Sequence, residues 1–557
     1  MNPELFTPPS LSPLLQDILK LRGLESSEEQ DAFLKPSLTS LLDPFLMKGM
    51  TQACERFQRA AVKGEKVLIH GDYDVDGITG AAVTAQTLQL LGIDFRVFLP
   101  DRAVDGYGVS KRAIEEAAAE GRRILVTVDC GITARAEIER ARELGMDVIV
   151  LDHHRIPGEG LPPATVILNP LQEDCPYPFK ELSAAGLAFK LAQALLGDRA
   201  FSFLDLAAIS TVCDVAPLKE ENRIIVKNGL KLLSKRTHLG LRALGEVAGM
   251  GKREVNVGHI GFTIGPRLNA AGRMSTPDIA LRLLLSNNEK EAASLAVVLN
   301  EENKARQREE RQTVKEAIRD VERMVNFNRD RVIVAAKQGW HQGVIGIVAA
   351  RLVDKYHRPA VVIAVEDGQG KGSGRSIKTF NLYQALSACK DHFVGFGGHA
   401  QAAGLVIRED EIEAFRKKIN EYAASEVSAE SFENRIEIDL EVSLAGLTPQ
   451  FLRELPLLEP HGAGNPRPVL LTRDVEVKTS PASLGYSRYQ IFVTDLENVF
   501  EVQWTESEEA AAADRRSKFL KKGMRLDLYY SIKIKKWDGI ERPILEAKEI
   551  RPLERPI

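Results

Sequence analysis

The sequence predicts an α/β protein with two α/β regions, a long helix between them and a β-rich tail that forms a small barrel. Short apolar runs alternate with helix-like stretches between about residues 66 and 151, and again between about 331 and 424. Residues 289–325, which lie between these regions, contain neither Gly nor Pro. After residue 431 the chain consists of short apolar runs separated by turn residues. These three patterns together determine the predicted fold class.

The first α/β region is predicted from apolar runs that alternate with helical patterns. The apolar runs are Lys66–Ile69, Phe95–Phe98, Ile124–Val128 and Val148–Leu151. The helical patterns are Ile78–Leu91, Lys111–Glu120 and Ala134–Leu144, with Ser183–Leu196 further along. Strands that alternate with helices in this way form βαβ units and a parallel sheet.

A single helix is predicted over residues 289–325, because Glu, Arg, Lys and Ala dominate there. Ser286 or an Asn just after it would cap the first turn. At about 1.5 Å per residue the helix reaches ~50 Å, a length that suits a spacer between two lobes. A surface helix on one domain is the alternative.

The second α/β region is smaller and is followed by the β-rich tail. It is predicted from the strands Arg331–Ala336 and Ala360–Ala364 and the helix Ile345–Tyr356. The tail has the runs Arg435–Val442, Val469–Leu471, Tyr489–Val493 and Leu526–Ile534, which predict a small barrel or a sandwich. We expect five units with the boundaries 1–50, 51–285, 286–328, 329–425 and 430–557.

Composition excludes several classes of protein. Five scattered cysteines without CxxC spacing argue against a disulfide framework and a structural zinc site, and favour a reducing compartment. Cys130 and Cys213 adjoin acidic motifs but are interpreted as small apolar residues rather than nucleophiles. No apolar run approaches the ~18 residues that cross a bilayer, so a cytoplasmic protein is expected. The net charge of −4 does not exclude nucleic acid, because such an enzyme need be basic only along its groove.

Four short segments rich in Asp and His indicate metal chemistry. They are His70–Gly77, Val128–Gly131, Asp152–His154 and Cys213–Asp214. The first three follow apolar runs, so they lie where parallel strands end and ligands gather. Carboxylates and imidazoles there can hold two divalent ions, Mn²⁺ or Mg²⁺. The candidate ligands are His70, Asp74, Asp76, Asp129, His153 and Asp214.

Further expectations concern the arrangement within this group. An extended backbone would point Asp74 and Asp76 the same way, and Asp129 would bridge the two ions. Activity should fall at acidic pH, because imidazole binds metals in its neutral form. An Asp after a strand is often only a helix cap, but four such segments in this order favour a metal site.

The order of these segments resembles the DHH phosphoesterase superfamily. Gly372–Ser376, Gly397–His399 and Ala402–Gly404 resemble the DHH-associated domain. Together with Gly265–Arg273 and the β-rich tail, they resemble the RecJ family of single-strand-specific 5′→3′ DNA exonucleases over about residues 40–550. The resemblance implies a parallel-sheet DHH domain, a smaller α/β DHH-associated domain joined to it by the long helix, and an OB-fold barrel.

The resemblance also implies roles for individual residues. One ion would be held by His70, Asp74 and Asp129. The other would be held by a second set: Asp76, Asp129, His153 and Asp214. His154 would face the scissile phosphate as a donor or as an electrostatic stabiliser, while Asp152 would orient an imidazole. Asp72 is left as either a ligand or a structural residue.

A pocket for a 5′-terminal phosphate is expected one nucleotide beyond the metals. The Gly-rich segment 370–376 could turn backbone N–H groups toward an anion, although a surface turn is the alternative. His399 could contact a phosphate from the same lobe. The candidate donors of a 5′-phosphate pocket are Arg102, Ser373, Arg375, and one or both of Arg267 and Arg273. Arg273 is favoured slightly, because the Gly before it allows close approach of the backbone.

The tail is the candidate DNA-binding module. Residues 515–536 contain nine Lys or Arg and one acid, with aromatic residues nearby. A basic track with aromatic faces binds single strands in OB-folds. The candidates are Trp504, Lys533, Lys535 and Lys536. A charged outer face over core aromatics is the alternative.

The function predicted is metal-dependent 5′→3′ exonuclease action on single-stranded DNA, with release of 5′-mononucleotides in recombination and repair. A phosphoesterase for short oligonucleotides or cyclic dinucleotides is the alternative, and a non-enzymatic replication scaffold is a third hypothesis. Family resemblance implies a RecQ-type helicase and a single-strand-binding protein as partners. We expect a monomer without membrane contact.

Overall fold

The fold is described from a computed structural model of the 557-residue chain. It describes residues 11–101, 108–428, 432, 436–506, 516–537 and 540–553, with the backbone alone at 536, 537 and 540. Arg102 and the side chain of Lys536 therefore lie outside the described residues.

The first α/β region folds into a five-stranded parallel sheet with the strand order β2-β1-β3-β4-β5. Its strands are β1 Val67–His70, β2 Phe95–Phe98, β3 Ile124–Val128, β4 Asp147–Leu151 and β5 Val166–Leu168. The crossover helices are α4 Val75–Leu90, α5 Lys111–Ala119 and α6 Arg135–Glu143. The parallel sheet predicted from the alternation of strands and helices is confirmed.

A layer of helices covers one face of this sheet and carries the last acidic segment. These helices are α7 Ala184–Leu196, α8 Leu204–Cys213, α9 Glu220–Lys235, α10 Leu239–Val247, α11 Val257–His259, α12 Gly265–Met274 and α13 Asp278–Leu285. Helix α4 packs between this layer and the sheet, with almost all of its side chains buried. Asp214 comes directly after α8, so the helical layer positions it.

The long helix α14 spans Glu289–Met324 and contributes to two cores. Ala292, Leu295, Ala296 and Leu299 lie in the core of the first region, whereas Ala317 and Val321 lie in the core of the second. The spacer interpretation is therefore correct. Its N-cap is Asn288, whose side chain accepts hydrogen bonds from the backbone N–H groups of Lys290 and Glu291.

The second region has a five-stranded sheet with the order β6-β7-β8-β10-β9, in which only β6 and β7 are parallel. Its strands are β6 Ile333–Gln338, β7 Ala360–Glu366, β8 Gln369–Arg375, β9 Phe393–Gly398 and β10 Ala402–Arg408. Its helices are α15 Ile345–Tyr356, α16 Leu382–Ser387 and α17 Ile412–Glu426.

The Gly-rich segment of this region is a strand, not an anion-binding turn. Strand β8 pairs with β7 on one side and β10 on the other, so the ladder uses its backbone N–H groups. Gly372 faces the core, where a Cβ atom would lie 2.7 Å from Leu405 Cδ1. The expectation that this backbone cradles a phosphate is therefore wrong, and only the side chains between the glycines can do so.

The tail forms a closed barrel, which confirms the barrel prediction. Its strands are β11 Leu440–Glu441, β12 Leu470–Val477, β13 Ala482–Gly485, β14 Arg488–Thr494, β15 Val499–Thr505, β16 Arg525–Trp537 and β17 Ile540–Pro552. Pairing runs β12-β16-β17-β15-β14, and β14 returns to β12, so five strands close the ring. Short helices α18 Pro449–Glu454 and α19 Arg516–Phe519 flank it. This is the five-stranded architecture of an OB-fold.

The N-terminal segment packs on the barrel, although more than 400 residues separate them. It contains α1 Pro13–Leu21 and α2 Ser27–Leu34, and α3 Met50–Lys63 follows against the first sheet. Leu15, Ile18 and Leu19 share a core with Phe451 and the barrel strands. Among the described residues, no helix is both long and apolar enough to span a membrane.

Candidate metal centre

The strand order brings the acidic segments to one edge of the first sheet. Strand β1 lies between β2 and β3, so the direction of winding reverses there and opens a crevice at the carboxyl ends. His70 ends β1 and Gly71–Gly77 follow it, Asp129 follows β3 and Asp152–His154 follow β4. Asp214 reaches the same place from the end of α8.

Three groups of described side chains place their ligand atoms within 4.8 Å of one another. They are Asp76 with His153 and Asp214, Asp72 with Asp74 and Asp129, and Asp129 with His153 and His154. Asp129 belongs to two groups, which is the arrangement expected of a shared ligand. Asp72, which the sequence left open, lies in one of them.

Asp129 provides the observation that fits a bound cation. Its Oδ1 atom is buried and accepts no hydrogen bond from the described residues. This oxygen lies 3.2 Å from His153 Nε2 and 3.9 Å from His154 Nδ1. A buried carboxylate oxygen without a donor is costly, and a metal ion removes that cost. Carboxylate and imidazole ligands suit Mn²⁺, and the carboxylates also suit Mg²⁺.

Asp74 and Asp76 do not point the same way, because the backbone there is not extended. Asp74 is the N-cap of α4, and its Oδ1 accepts hydrogen bonds from the N–H groups of Asp76 and Gly77. Asp76 lies in the first turn, where its oxygens accept from the N–H groups of Ala184 and Ala185 at the start of α7. The helix start therefore sends the two carboxylates to different groups.

His70 is not brought into any of the three groups of described residues. Its side chain is fully buried, and its Nε2 accepts a hydrogen bond from the Ser110 N–H at 3.0 Å. Its Nδ1 lies 3.8 Å from the Cys130 Sγ. His70 as a ligand stays a prediction.

Asp152 orients His154. One carboxylate oxygen of Asp152 lies 2.7 Å from His154 Nδ1, and the other accepts from the Ile132 N–H at 2.9 Å. Burial alone would lower the pKa of His154, but the Asp152 carboxylate raises it to about 9. Burial alone would raise the pKa of Asp152, but the hydrogen bond from His154 lowers it. In the metal-free protein the pair is an imidazolium held on a carboxylate.

Ser373 and Arg375, two candidate phosphate donors, face this cluster from the second region across a shared cleft. Ser373 and Arg375 lie on β8 beside the start of α15, where Gly346 approaches both: a Cβ atom there would lie 2.9 Å from Ser373 Oγ and 3.1 Å from Arg375 Nη2. The N-terminus of a helix attracts anions through its free N–H groups. The helix was predicted with these bounds, Ile345–Tyr356, but its N-terminus was not predicted as an anion site, because Val344 is not a capping residue type.

The two other candidate arginines differ in their surroundings. Arg273 donates to the Gly343 carbonyl, just before α15, and its charge lowers the pKa of Asp74 against the larger effect of burial. Gly272 lets helix α12 lie against the backbone of Tyr73, since a Cβ atom at residue 272 would lie 2.5 Å from the Tyr73 carbonyl oxygen. Arg267 donates instead to Asn300 and Thr263, away from the cluster. The slight preference for Arg273 stays a prediction.

Two glycines, Gly404 and Gly397, continue the face of the second sheet beyond Ser373. Ser373 is in register with Gly404, and Gly404 with Gly397. A Cβ atom on Gly397 would meet nothing within 4 Å. His399 follows on the same edge, and the charges of His154 and Arg155 help to lower its pKa after burial. A cleft of about 890 Å³ therefore joins the two lobes between His154 and Ser373.

The barrel places its candidate residues differently. Trp504 is only 4% exposed, stacks on Tyr489 and donates to Glu506, so the prediction that it stacks on DNA is wrong. Lys533 lies 3.3 Å from Glu546, and Lys535 donates to Gln503; both lysines are exposed. Trp504 and Tyr530 thus belong to the barrel core, as the alternative interpretation had it.

Mutual repulsion in the cluster predicts an unusual pH dependence of stability without metal. Burial and neighbouring carboxylates raise the pKa of Asp72 to about 7 and that of Asp214 to about 8. A raised pKa in the folded state gives stability at low pH that is lost as pH rises through that value. The thermal midpoint of the chelator-treated protein should therefore fall as pH rises from about 4, where aspartates ionise in the unfolded chain, to about 8, where Asp214 ionises in the folded protein. Mn²⁺ should remove this fall in the thermal midpoint, and Asp214→Asn should reduce it. A fall of equal size with and without Mn²⁺ would contradict the prediction.

Comparison with known proteins agrees with this geometry. Residues 66–211 match the N-terminal domain of the DHH family, residues 329–425 the DHHA1 domain and residues 438–549 the RecJ OB domain. The chain is 38% identical over 541 residues to the single-stranded-DNA-specific exonuclease RecJ of Bacillus subtilis, covering 97% of this chain and 68% of the relative. The chain belongs to the RecJ family.

Other members of the RecJ family are similar in sequence and in structure. The Escherichia coli protein of the same name is 35% identical, and the match covers 83% of each chain. The crystal structure of RecJ from Thermus thermophilus with Mn²⁺ matches with a TM-score of 0.80 and 30% identity, over 98% of this chain and 79% of that one. The corresponding Mg²⁺ complex has a TM-score of 0.74.

Proposed function

We propose that this RecJ family member is a two-metal exonuclease that removes 5′-mononucleotides from single-stranded DNA, beginning at a 5′-phosphate. The observation that carries this proposal is the orphaned Asp129 oxygen, which lies in a carboxylate–histidine cluster facing a phosphate-binding lobe. The curated relatives are single-stranded-DNA-specific exonucleases, and solved RecJ structures hold Mn²⁺ or Mg²⁺.

One cation would be held by the group that contains Asp74 and Asp129, and the other by the group of Asp76, His153 and Asp214, with Asp129 shared between them. When bound, they supply Lewis acidity at the phosphate and lower the pKa of a water molecule. The side chain of His154, held by Asp152, faces the cleft. That ring can stabilise negative charge on the phosphate or donate a proton.

Direction follows from a terminal phosphate held apart from the metals. Arg375 offers a planar fork, Ser373 a hydroxyl, and α15 its N-terminal N–H groups. The nucleoside attached to that phosphate would lie over the face of Gly404 and Gly397. Because these two glycines present no side chain, this part of the face would accept any base, which suits an enzyme that digests strands regardless of sequence.

A second cavity, of about 730 Å³, supports a route for the rest of the strand. It begins beside Cys213 and Arg273 and continues between α12, α14 and α15. Arg306 and Arg351 line it, and the Phe262 ring at its edge is 85% exposed. Arginines for phosphates and an aromatic face for a base are the features that bind single strands.

The decisive experiment uses one 5′-phosphorylated single strand labelled at either end, with Mn²⁺. The 5′ label should be released at once as a mononucleotide, whereas the 3′ label should pass through steadily shorter fragments. Release of the 3′ label first would refute the polarity. Faster turnover of a dinucleotide would favour the short-substrate phosphoesterase, and an inert protein would favour the scaffold.

The barrel is proposed to bind DNA outside the cleft through Lys533 and Lys535 on β16. Replacing both with Gln should weaken binding and reduce the salt dependence by about 0.7 per lost phosphate contact. The matched control replaces Lys521 and Lys522, two exposed lysines before the start of β16. Equal salt slopes for wild type and the Lys533/Lys535 variant would remove these residues from the binding surface.

The cellular setting belongs to the same proposal. We propose a cytoplasmic monomer that works with a RecQ-type helicase and a single-strand-binding protein. We also propose that its five units have the boundaries 1–50, 51–285, 286–328, 329–425 and 430–557. A helicase supplies the single strand that the cleft requires. Sedimentation of the purified chain tests the monomer, and stimulation of digestion of duplex ends by a helicase tests the partnership.

A further inference from the structure

Residues 457–465, which precede strand β12 and are called the leader here, pack on the lobe that carries the metal cluster. Arg223 of α9 is 1% exposed and donates to the carbonyls of the leader. Its donor–acceptor distances are 3.0 Å to Leu457, 3.2 Å to Leu458, 2.9 Å to Glu459 and 3.3 Å to Pro460. Asn465 Nδ2 donates to two of the same carbonyls, those of Leu458 and Pro460. These contacts fix the leader to α9.

The N-terminal segment completes this attachment. Arg223 Nε donates to the Phe33 carbonyl at 2.8 Å, and its guanidinium lies 3.8 Å from the centre of the Phe33 ring. Lys227, one turn further along α9, donates to the Leu34 carbonyl. A buried guanidinium surrounded by carbonyl oxygens ties together three parts of the chain that are distant in sequence.

The leader also touches the loop that carries Asp214. The Leu218 N–H donates to the Ala463 carbonyl at 2.7 Å. A Cβ atom on Gly462 would lie 2.7 Å from Leu218 Cδ1, and one on Gly464 would lie 2.8 Å from Pro217 Cβ. The leader therefore packs against this loop so closely that it has room only for glycine.

The Asp214 loop needs such support. Val215 has φ 61, a left-handed conformation that is unfavourable for a β-branched residue by about 1–2 kcal/mol. Among the described residues, the Asp214 carboxylate makes no hydrogen bond, and its backbone N–H donates to the Ser210 carbonyl. The place of this carboxylate beside His153 therefore depends on the backbone of the loop.

We propose that the leader positions Asp214 for cation binding, with Gly462, Gly464 and Arg223 as positioning residues. Seating of the barrel and affinity at the Asp214 metal site are then coupled: disturbing the leader weakens that site while the barrel still binds DNA. This inference rests on the proposed function only in assuming that the cluster binds divalent cations.

The test compares Gly464→Ala with Gly523→Ala. Both glycines have left-handed backbones, with φ 68 and φ 84, so the backbone strain of an alanine is matched. A methyl group on residue 464 meets Pro217, whereas one on residue 523 meets nothing within 4 Å. Titration calorimetry of the full chain with Mn²⁺ should show one of two sites weakened at least about tenfold in Gly464→Ala. Gly523→Ala should match wild type, and single-strand affinity should be unchanged in both.

Wild-type Mn²⁺ affinity at both sites in folded Gly464→Ala would overturn the coupling, even with a lower thermal midpoint. Absence of Mn²⁺ binding by the wild type would instead refute the proposed function. Hydrogen exchange of the wild-type chain needs no variant: Mn²⁺ should slow exchange at Leu218 and throughout 457–465. Slowing that is confined to the acidic segments, with the leader unchanged, would also overturn the inference.

Discussion

Asp129→Asn should reduce exonuclease activity about a thousandfold or more while single-strand binding persists. Asp129 belongs to two of the three candidate ligand groups, so its loss affects both cation sites. The amide keeps the shape of the carboxylate but has one weak acceptor oxygen and no charge. Initial rates on a labelled single strand, with Mn²⁺ varied over several decades, measure the loss.

Two further results accompany this prediction. Burial and the surrounding carboxylates hold the pKa of Asp129 well above its usual range, so the neutral amide should raise the thermal midpoint of the metal-free protein. The matched control is Asp205→Asn, which replaces another buried aspartate, 3% exposed, outside the three groups. A variant at Asp129 that keeps a tenth of the wild-type rate would show that this carboxylate is not shared by the metals.

Arg375→Gln should abolish most of the preference for a 5′-phosphate over a 5′-hydroxyl. A charge-assisted hydrogen-bond pair to phosphate is worth about 2 kcal/mol, or roughly 30-fold in kcat/KM. Strands with a 5′-hydroxyl should be digested at nearly the wild-type rate, since they lack the group that Arg375 binds. The ratio of kcat/KM for the two strands is the quantity to measure.

The control for this change lies on the same sheet. Arg408, at the end of β10, pairs with Asp410 and lies outside the cleft, so Arg408→Gln should leave the ratio unchanged. Should Arg375→Gln slow both strands equally, Arg375 would be holding the fold or the internal phosphates. The terminal phosphate would then have to be bound elsewhere.

The parallel sheet and the acidic cluster could be predicted because their signals are local. Buried strands of a parallel sheet are continuous apolar runs, and the residues after them necessarily share one edge. The orientation of Asp74 and Asp76 could not be predicted in this way. The backbone turns into α4 at Val75, and that turn sends the two carboxylates to different ligand groups.

Other features were lost because tertiary packing decided them. The glycines of β8 are typical of a flexible turn in sequence. In the structure Gly372 is needed because the Leu405 side chain of the neighbouring strand occupies the space that a larger residue would fill. A tryptophan occurs both in barrel cores and on surfaces that stack on DNA, and only the burial of Trp504 shows which of the two applies. The contact between Ser12 and Glu454 joins residues 442 positions apart, a separation at which sequence carries no pairing signal.

The continuous helix α14 has a consequence for the size of the product. Its first half is buried in the lobe that holds the carboxylates, and its second half in the lobe that holds Ser373 and Arg375. The sites proposed for bond cleavage and for recognition of the strand end therefore lie on the two halves of one continuous helix, which fixes the distance between them. The length of each excised fragment is then set by the distance between these two sites, and it does not depend on how fast the strand is digested.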